Sequence, residues 1–125
     1  MDAGLKAAAD LLAAADLLRR MTQAVDGASR AYDAAKGSGN EASFEQHRSI
    51  LQDVRQRLAD AFDAAEAAYA TVTLLIPAAT EPARRYLDLC GAANVHPDAD
   101  REKREQTRLE VERAVRHQIG ADSPG

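Results

Sequence analysis

Two segments of similar length carry apolar side chains in a helical pattern. In residues 4–36 and 44–76, apolar or alanine positions recur at alternating spacings of three and four. A period of 3.5 residues is typical of helices that pack lengthwise against other helices. Between the segments lies the sequence Gly-Ser-Gly-Asn, at residues 37–40, whose residue types favour a turn. The sequence therefore predicts a long antiparallel helical hairpin.

Residues typical of helix ends divide the chain into four helices. Asp2 can cap the first helix, and Gly37 suits the left-handed position that ends it. Pro77 ends the second helix, because a proline pushes the preceding residue out of helical geometry. Thr80 can then cap a short third helix. We predict a single all-α domain over residues 1–119, a three- to four-helix bundle followed by a disordered tail at 120–125, with helices at about 3–36, 41–76, 80–92 and 99–119.

Composition and charge limit the class of protein. The chain has 125 residues, enough for one domain, and its net charge of −4 disfavours a general nucleic-acid-binding surface. Its single cysteine, Cys90, cannot form an intramolecular disulfide, and we expect neither a secretory leader nor a membrane span. Abundant Ala, Arg and Asp with little Lys suggests a GC-rich bacterial genome. We therefore expect a bacterial, cytoplasmic protein.

The fourth predicted helix is unusually charged. Residues 98–119 contain six acidic and six basic residues, with only four large apolar ones, at Leu109, Val111, Val115 and Ile119. Equal numbers of both signs favour a salt-bridged face over a nucleic-acid-binding one. We expect the N-terminal half of this helix to be largely solvated.

Large apolar residues divide the hairpin into two unlike halves. They surround both helices at the open end, where the third and fourth helices should pack. The third helix is only about 20 Å long, so it cannot cover the whole hairpin. Residues 20–56 would then project as a two-helix stalk, called the stalk below. Its apolar stripe, called the seam, is the candidate interface and comprises Met21, Val25, Tyr32, Phe44, His47, Leu51 and Val54.

An isolated pair of helices is only marginally stable, so a bare stalk favours self-association. Two stalks could pair as a four-helix homodimer. The alternative is that the fourth helix folds back along the stalk and gives a monomer.

Residues with catalytic or metal-binding potential do not form a recognisable pattern. Neither His47 nor His117 has a glutamate three residues earlier, so neither belongs to a Glu-x-x-His pair. Cys90 lacks partners for a tetrahedral metal site. We predict no catalytic residues, no metal and no cofactor, and hence no enzyme. Cys90 is interpreted as a small core residue. His47 is interpreted as a snorkelling or hydrogen-bonded seam residue, and a pH-sensitive contact is the less favoured alternative. The pairs Arg19-Arg20 and Arg84-Arg85 are interpreted as ion-paired, although they could contact phosphate.

Three segments resemble a loose group of uncharacterised actinobacterial all-helical hairpin proteins. These segments are VTLLIP at 72–77, EPARRYL at 81–87 and VRHQIG at 115–120. Members of the group have a long hairpin, an apolar stretch ended by proline, a short helix and a final helix ending near a glycine. They often carry a membrane helix before the hairpin, a segment that this sequence does not include. The resemblance implies the fold and no activity.

Three functions fit these expectations. The first is a non-catalytic protein–protein interaction or assembly module that acts through the exposed seam, with itself or another protein as partner. The second is a helical regulator that senses a small molecule in a pocket within the bundle, between Leu18, Leu58, Phe62, Tyr69 and Tyr86. The least favoured is a nucleic-acid-binding accessory protein.

Overall fold

The hairpin and its two shorter helices are present as predicted. A computed structural model describes residues 2–92 and 99–122, and within them the chain forms four α-helices and one short 3₁₀ turn. This confirms the all-α fold built on a long antiparallel hairpin. The predicted bounds agree to within one residue except at the end of α4. The elements are α1 at Ala3–Gly37, α2 at Glu41–Leu75, the 3₁₀ turn at Pro77–Ala79, α3 at Thr80–Gly91 and α4 at Ala99–Asp122.

Side-chain caps begin both helices of the hairpin. Asp2 accepts hydrogen bonds from the backbone N–H of Gly4 at 2.7 Å and of Leu5 at 3.1 Å. Asn40 accepts one from the backbone N–H of Ser43 at 3.1 Å. Each cap satisfies donors that have no partner within the first turn of a helix. The start of each long helix is therefore fixed by local sequence.

Gly39, and not Gly37, adopts the left-handed conformation in the hairpin turn. Its φ is +75°, whereas Gly37 is the last residue of α1, so the prediction for Gly37 was wrong. The helix continues through Gly37 because the N–H of Ser38 still donates to the carbonyl of Ala35, at 3.2 Å.

The two turn glycines should respond in opposite ways to alanine. Gly39→Ala should lower the free energy of unfolding by about 1 kcal/mol, because an L side chain is strained at positive φ. Gly37→Ala should raise it by up to about 1 kcal/mol, since alanine is the better helix former and open space surrounds this position. Urea denaturation followed by circular dichroism measures both changes. The same sign for both variants would contradict the turn geometry.

The α2–α3 junction is a 3₁₀ turn, Pro77–Ala79, and not the side-chain cap predicted at Thr80. Thr80 is already the first residue of α3, which begins without a capping side chain. In place of a capping side chain, Gln118 of α4 binds two backbone groups at this junction. Its side-chain oxygen accepts from the N–H of Ala78 and its amide donates to the carbonyl of Leu75, both at 3.2 Å. Helix α4 therefore holds the junction between the second and third helices.

The core occupies the open end of the hairpin. Its members on α1 run from Ala7 to Leu18, those on α2 include Ala65 and Val72, and Ile76 follows directly after α2. Helix α1 packs against each of the other three helices, whereas α4 packs along α1, α3 and the 3₁₀ turn and meets the end of α2 through the hydrogen bond from Gln118 to Leu75. The large side chains that are fully buried are Leu11, Val72, Ile76, Leu87, Cys90 and Val111.

Helix α4 buries a face that the apolar residues alone did not predict. Val111 and Val115 are buried, but Leu109 is 42% exposed. Seven of residues 101–110 are exposed, so the N-terminal half is largely solvated as predicted, but Arg104 and Thr107 are buried. The Thr107 hydroxyl tolerates burial because it donates to the carbonyl of Lys103 at 2.7 Å.

The last turn of α4 extends further than predicted. Residues 120–122 are helical, whereas they were expected to belong to a disordered tail, and residues 123–125 lie outside the described part. Gln118 and Ile119 anchor the preceding turn against the junction and the core, so the helix continues for another turn.

Candidate interaction surface

Helices α3 and α4 reach only the base of the stalk. At the end of α3, a Cβ on Gly91 would lie 4.0 Å from Leu18. Helix α4 runs antiparallel to α1, because Ile119 shares a cavity with Gly4 whereas Arg101 shares one with Gln23. The described part of α4 therefore does not fold back along the stalk beyond its base. Within the described residues, α3 reaches the level of Val25 and Arg55, which line a groove with Gly91, and α4 reaches that of Gln23, which lines a cavity with Arg101.

The seven predicted seam residues differ in their exposure. Leu51 is only 4% exposed, so it already packs between α1 and α2. The remaining six are half-buried: Met21, Val25, Tyr32, Phe44, His47 and Val54. Leu51 therefore stabilises the hairpin itself, and the other six leave part of their apolar surface in water.

An aromatic pair joins the two helices near the turn. The ring centroids of Tyr32 and Phe44 are 5.2 Å apart and the planes are inclined by 37°. Such pairs contribute about 0.5–1.5 kcal/mol beyond the area that they bury. These two seam residues help to fix the register of α1 against α2.

His47 is hydrogen-bonded within its own helix. Its Nδ1 lies 2.7 Å from the carbonyl oxygen of Ser43, so the ring N–H donates to the backbone one turn earlier. This is the hydrogen-bonded seam histidine that the sequence predicted. Among residues 2–92 and 99–122, no three side chains of His, Cys, Asp or Glu come together in a possible metal site.

Two exposed apolar side chains near the seam were missed. Ile50 is 45% exposed and Phe62 is 50% exposed, both on α2. Ile50 follows His47 by three residues and precedes Val54 by four, so its helical spacing could have assigned it to the seam. Phe62 stands at the base of the stalk.

An apolar groove of about 540 Å³ lies where α3 ends. Its lining includes Leu18, Leu58 and Phe62, three of the five residues predicted to form a small-molecule pocket. Tyr86 lines a different cavity, and Tyr69 packs against the guanidinium of Arg84, which lies 4.9 Å from the ring centre. The structure therefore does not bring the five residues together around one cavity.

The paired arginines of the sequence form ion pairs, as predicted. Arg84 bridges two helices, because it binds Glu66 of α2 at 2.9 Å and Asp88 of α3 at 3.0 Å. The hydrogen bond that Arg84 donates to Glu66 raises the pKa of the Arg84 guanidinium. The other arginines of these two pairs bind carboxylates at 2.7–3.1 Å, in the pairs Arg19–Asp16, Arg20–Asp16 and Arg85–Glu110.

Cys90 belongs to the core. It is a free cysteine with 0% exposure, and burial raises the pKa of its thiol. A buried thiol that resists ionisation is a poor nucleophile.

The fold and surface define an all-α protein with a small bundle at the base of a two-helix stalk, which extends beyond the described ends of α3 and α4. None of its described helices has both the length and the apolar character needed to cross a bilayer. Comparison with models of protein families, with curated proteins and with solved structures finds no match to this chain.

Proposed function

We propose that this chain is a non-catalytic assembly module that pairs with a second copy of itself through the stalk. The observation that carries this proposal is the half-buried seam beyond Val25, on the part of the stalk that the described ends of α3 and α4 do not reach. A helix that is apolar over more than one contact face needs more than one partner. Two stalks side by side would supply that partner as a four-helix arrangement.

Charges beside the seam are already paired within their own helices. Asp26 binds Arg30 on α1, and Asp53 binds Arg57 on α2 at 3.1 Å. Exposed pairs of this kind add little stability, but they leave no strong field of one sign to repel an identical surface. They therefore support pairing between two copies.

The exposed side chains indicate where contact would occur. Ile50 extends the half-buried residues His47 and Val54 along one side of α2. In a twofold dimer the same patch contacts itself, so these residues would appear twice in the interface. Because Cys90 is free and buried, the chain fits the reducing cytoplasmic setting that we propose for the module.

Sedimentation equilibrium over a wide concentration range tests the proposal. The native chain should give a dimer with twice the 13.4 kDa mass of one chain. Ile50→Lys should convert it to a monomer, because Ile50 is 45% exposed and would bury its new charge only in the dimer.

Leu74→Lys is the matched control, since Leu74 lies on the same helix, outside the stalk, and is 79% exposed. It should leave the dimer intact. Leu51 is unsuitable as a test position because it is already buried within one chain. A single 13.4 kDa species at every concentration, or an Ile50→Lys variant as dimeric as the native chain, would refute pairing through the stalk.

A further inference from the structure

A second cavity, of about 700 Å³, lies between α1, α3 and α4. Its charged lining consists of four arginines and two carboxylates, which leaves two positive charges in excess within a chain whose net charge is −4. None of these residues belongs to the seam. The six charged residues are Arg19, Arg101, Arg104, Arg108, Asp16 and Glu105.

Two of the arginines are held in position by their neighbours. Arg19 donates to Asp16 at 2.7 Å and to Gln23 at 3.2 Å. Arg108 pairs with Glu105 and, at 3.3 Å, with Glu112. Hydrogen bonds from Arg19 and from Arg108 keep the pKa values of Asp16 and of Glu105 below their usual ranges. These guanidinium groups are therefore preorganised at the cavity wall.

The other two arginines differ in exposure. Arg104 is only 9% exposed, so its charge lies where water screens it weakly and attraction for an anion is stronger. Arg101 is exposed and takes part in no ion pair within residues 2–92 and 99–122. Arg104 therefore contributes a buried positive charge to the cavity, and Arg101 contributes an exposed one.

We propose that this cavity binds a small soluble molecule that carries a phosphate or pyrophosphate group. A guanidinium offers planar pairs of N–H donors that match phosphate oxygens, and several of them favour a multiply charged anion over a single carboxylate. Leu12 and Ala13 provide an apolar wall for the body of the ligand, and Tyr86 and Gln23 complete the lining. The volume lies within the range of about 300–1,000 Å³ that is common for ligand sites.

Calorimetric titration with inorganic pyrophosphate at constant ionic strength tests the site. Arg101→Gln should weaken binding about fivefold or more, because it removes a charged donor from the cavity. The control is Arg113→Gln, which removes the same charge from an exposed position on α4 that does not line the cavity. Its affinity should stay within about twofold of the native chain.

Arg104→Gln is the second variant, with circular dichroism to verify that the helices persist. It should also weaken binding, because it removes the inner charge. Amide chemical shifts should change around the cavity when pyrophosphate is added. Absence of heat and of shifts, unchanged affinity in both cavity variants, or an equal loss in Arg113→Gln would overturn the proposal.

Sedimentation with phosphatidylglycerol vesicles separates a soluble phosphate compound from a lipid headgroup. We expect the protein to stay in the supernatant while pyrophosphate still binds. Sedimentation with vesicles combined with no response to pyrophosphate would overturn the proposal in favour of a membrane surface. Because no lining residue belongs to the seam, Ile50→Lys should bind pyrophosphate as the native chain does.

Discussion

Leu11→Ala should lower the free energy of unfolding by about 3–5 kcal/mol, whereas Leu5→Ala should change it by less than about 0.5 kcal/mol. The two leucines lie on the same helix and lose the same atoms. Leu11 is 0% exposed and Leu5 is 45% exposed. The difference therefore isolates the contribution of burial.

The large effect at Leu11 follows from the alanine-rich core around it. Its neighbours in the core on α1 include Ala7, Ala8 and Ala15, whose short side chains cannot move to fill a cavity. A small domain is typically stable by about 5–15 kcal/mol, so a single truncation removes a large part of that margin.

Urea denaturation followed by circular dichroism at the helical band measures both leucine variants. The Ile50→Lys background is preferable, because association would otherwise add stability that depends on protein concentration. Equal losses at Leu5 and Leu11 would mean that the open end of the hairpin is not packed as described.

Val111→Asp should detach α4 from the base and cost about 4 kcal/mol or more. Val111 is 0% exposed, and it lies on the face that meets α1 and α3. An ionised carboxylate placed there would lose its hydration without gaining a hydrogen-bond donor or a positive charge in return. Far-ultraviolet circular dichroism should show a loss of helix, and trypsin should cleave at the arginines of α4.

Leu109→Asp is the matched control for Val111→Asp. It introduces the same charge two residues earlier, at a position that is 42% exposed, so the helix should remain docked. If the two variants were equally stable, the face of α4 that packs on the bundle would have to be a different one.

The hairpin could be predicted because its signals are local. Periodic apolar residues, the caps at Asp2 and Asn40 and the proline at position 77 each act within a few residues of where they stand. The same argument explains the error at the turn. Gly37 and Gly39 are both suited to a left-handed conformation, and only the length of α1 decides between them.

The orientation of each helix about its own axis was harder to predict. Ile50 and Leu51 are adjacent, large and apolar, and the pattern does not determine which one faces α1. On α4 the burial of Arg104 and Thr107 was not predicted for the same reason. A buried arginine is rare, and the spacing of apolar residues does not indicate one. Burial of these residues depends on how the helices pack in three dimensions.

The arginine-lined cavity could not be predicted from local sequence. Arg19 and Arg101 are far apart along the chain, and they meet only because α4 runs antiparallel to α1. The positions of charged residues in the sequence show neither that α4 runs antiparallel to α1 nor which residues of the two helices lie side by side.

Asp2, Leu75 and Ile119 line one small cavity, so the start of α1, the end of α2 and the last turns of α4 converge at one pole. The turn at Gly39 lies at the opposite pole, about 50 Å away along the hairpin. A fusion partner or surface tether attached at either end of the described chain would thus leave the stalk accessible. The same arrangement suits circular permutation, with a short linker joining the ends and new termini opened at the turn.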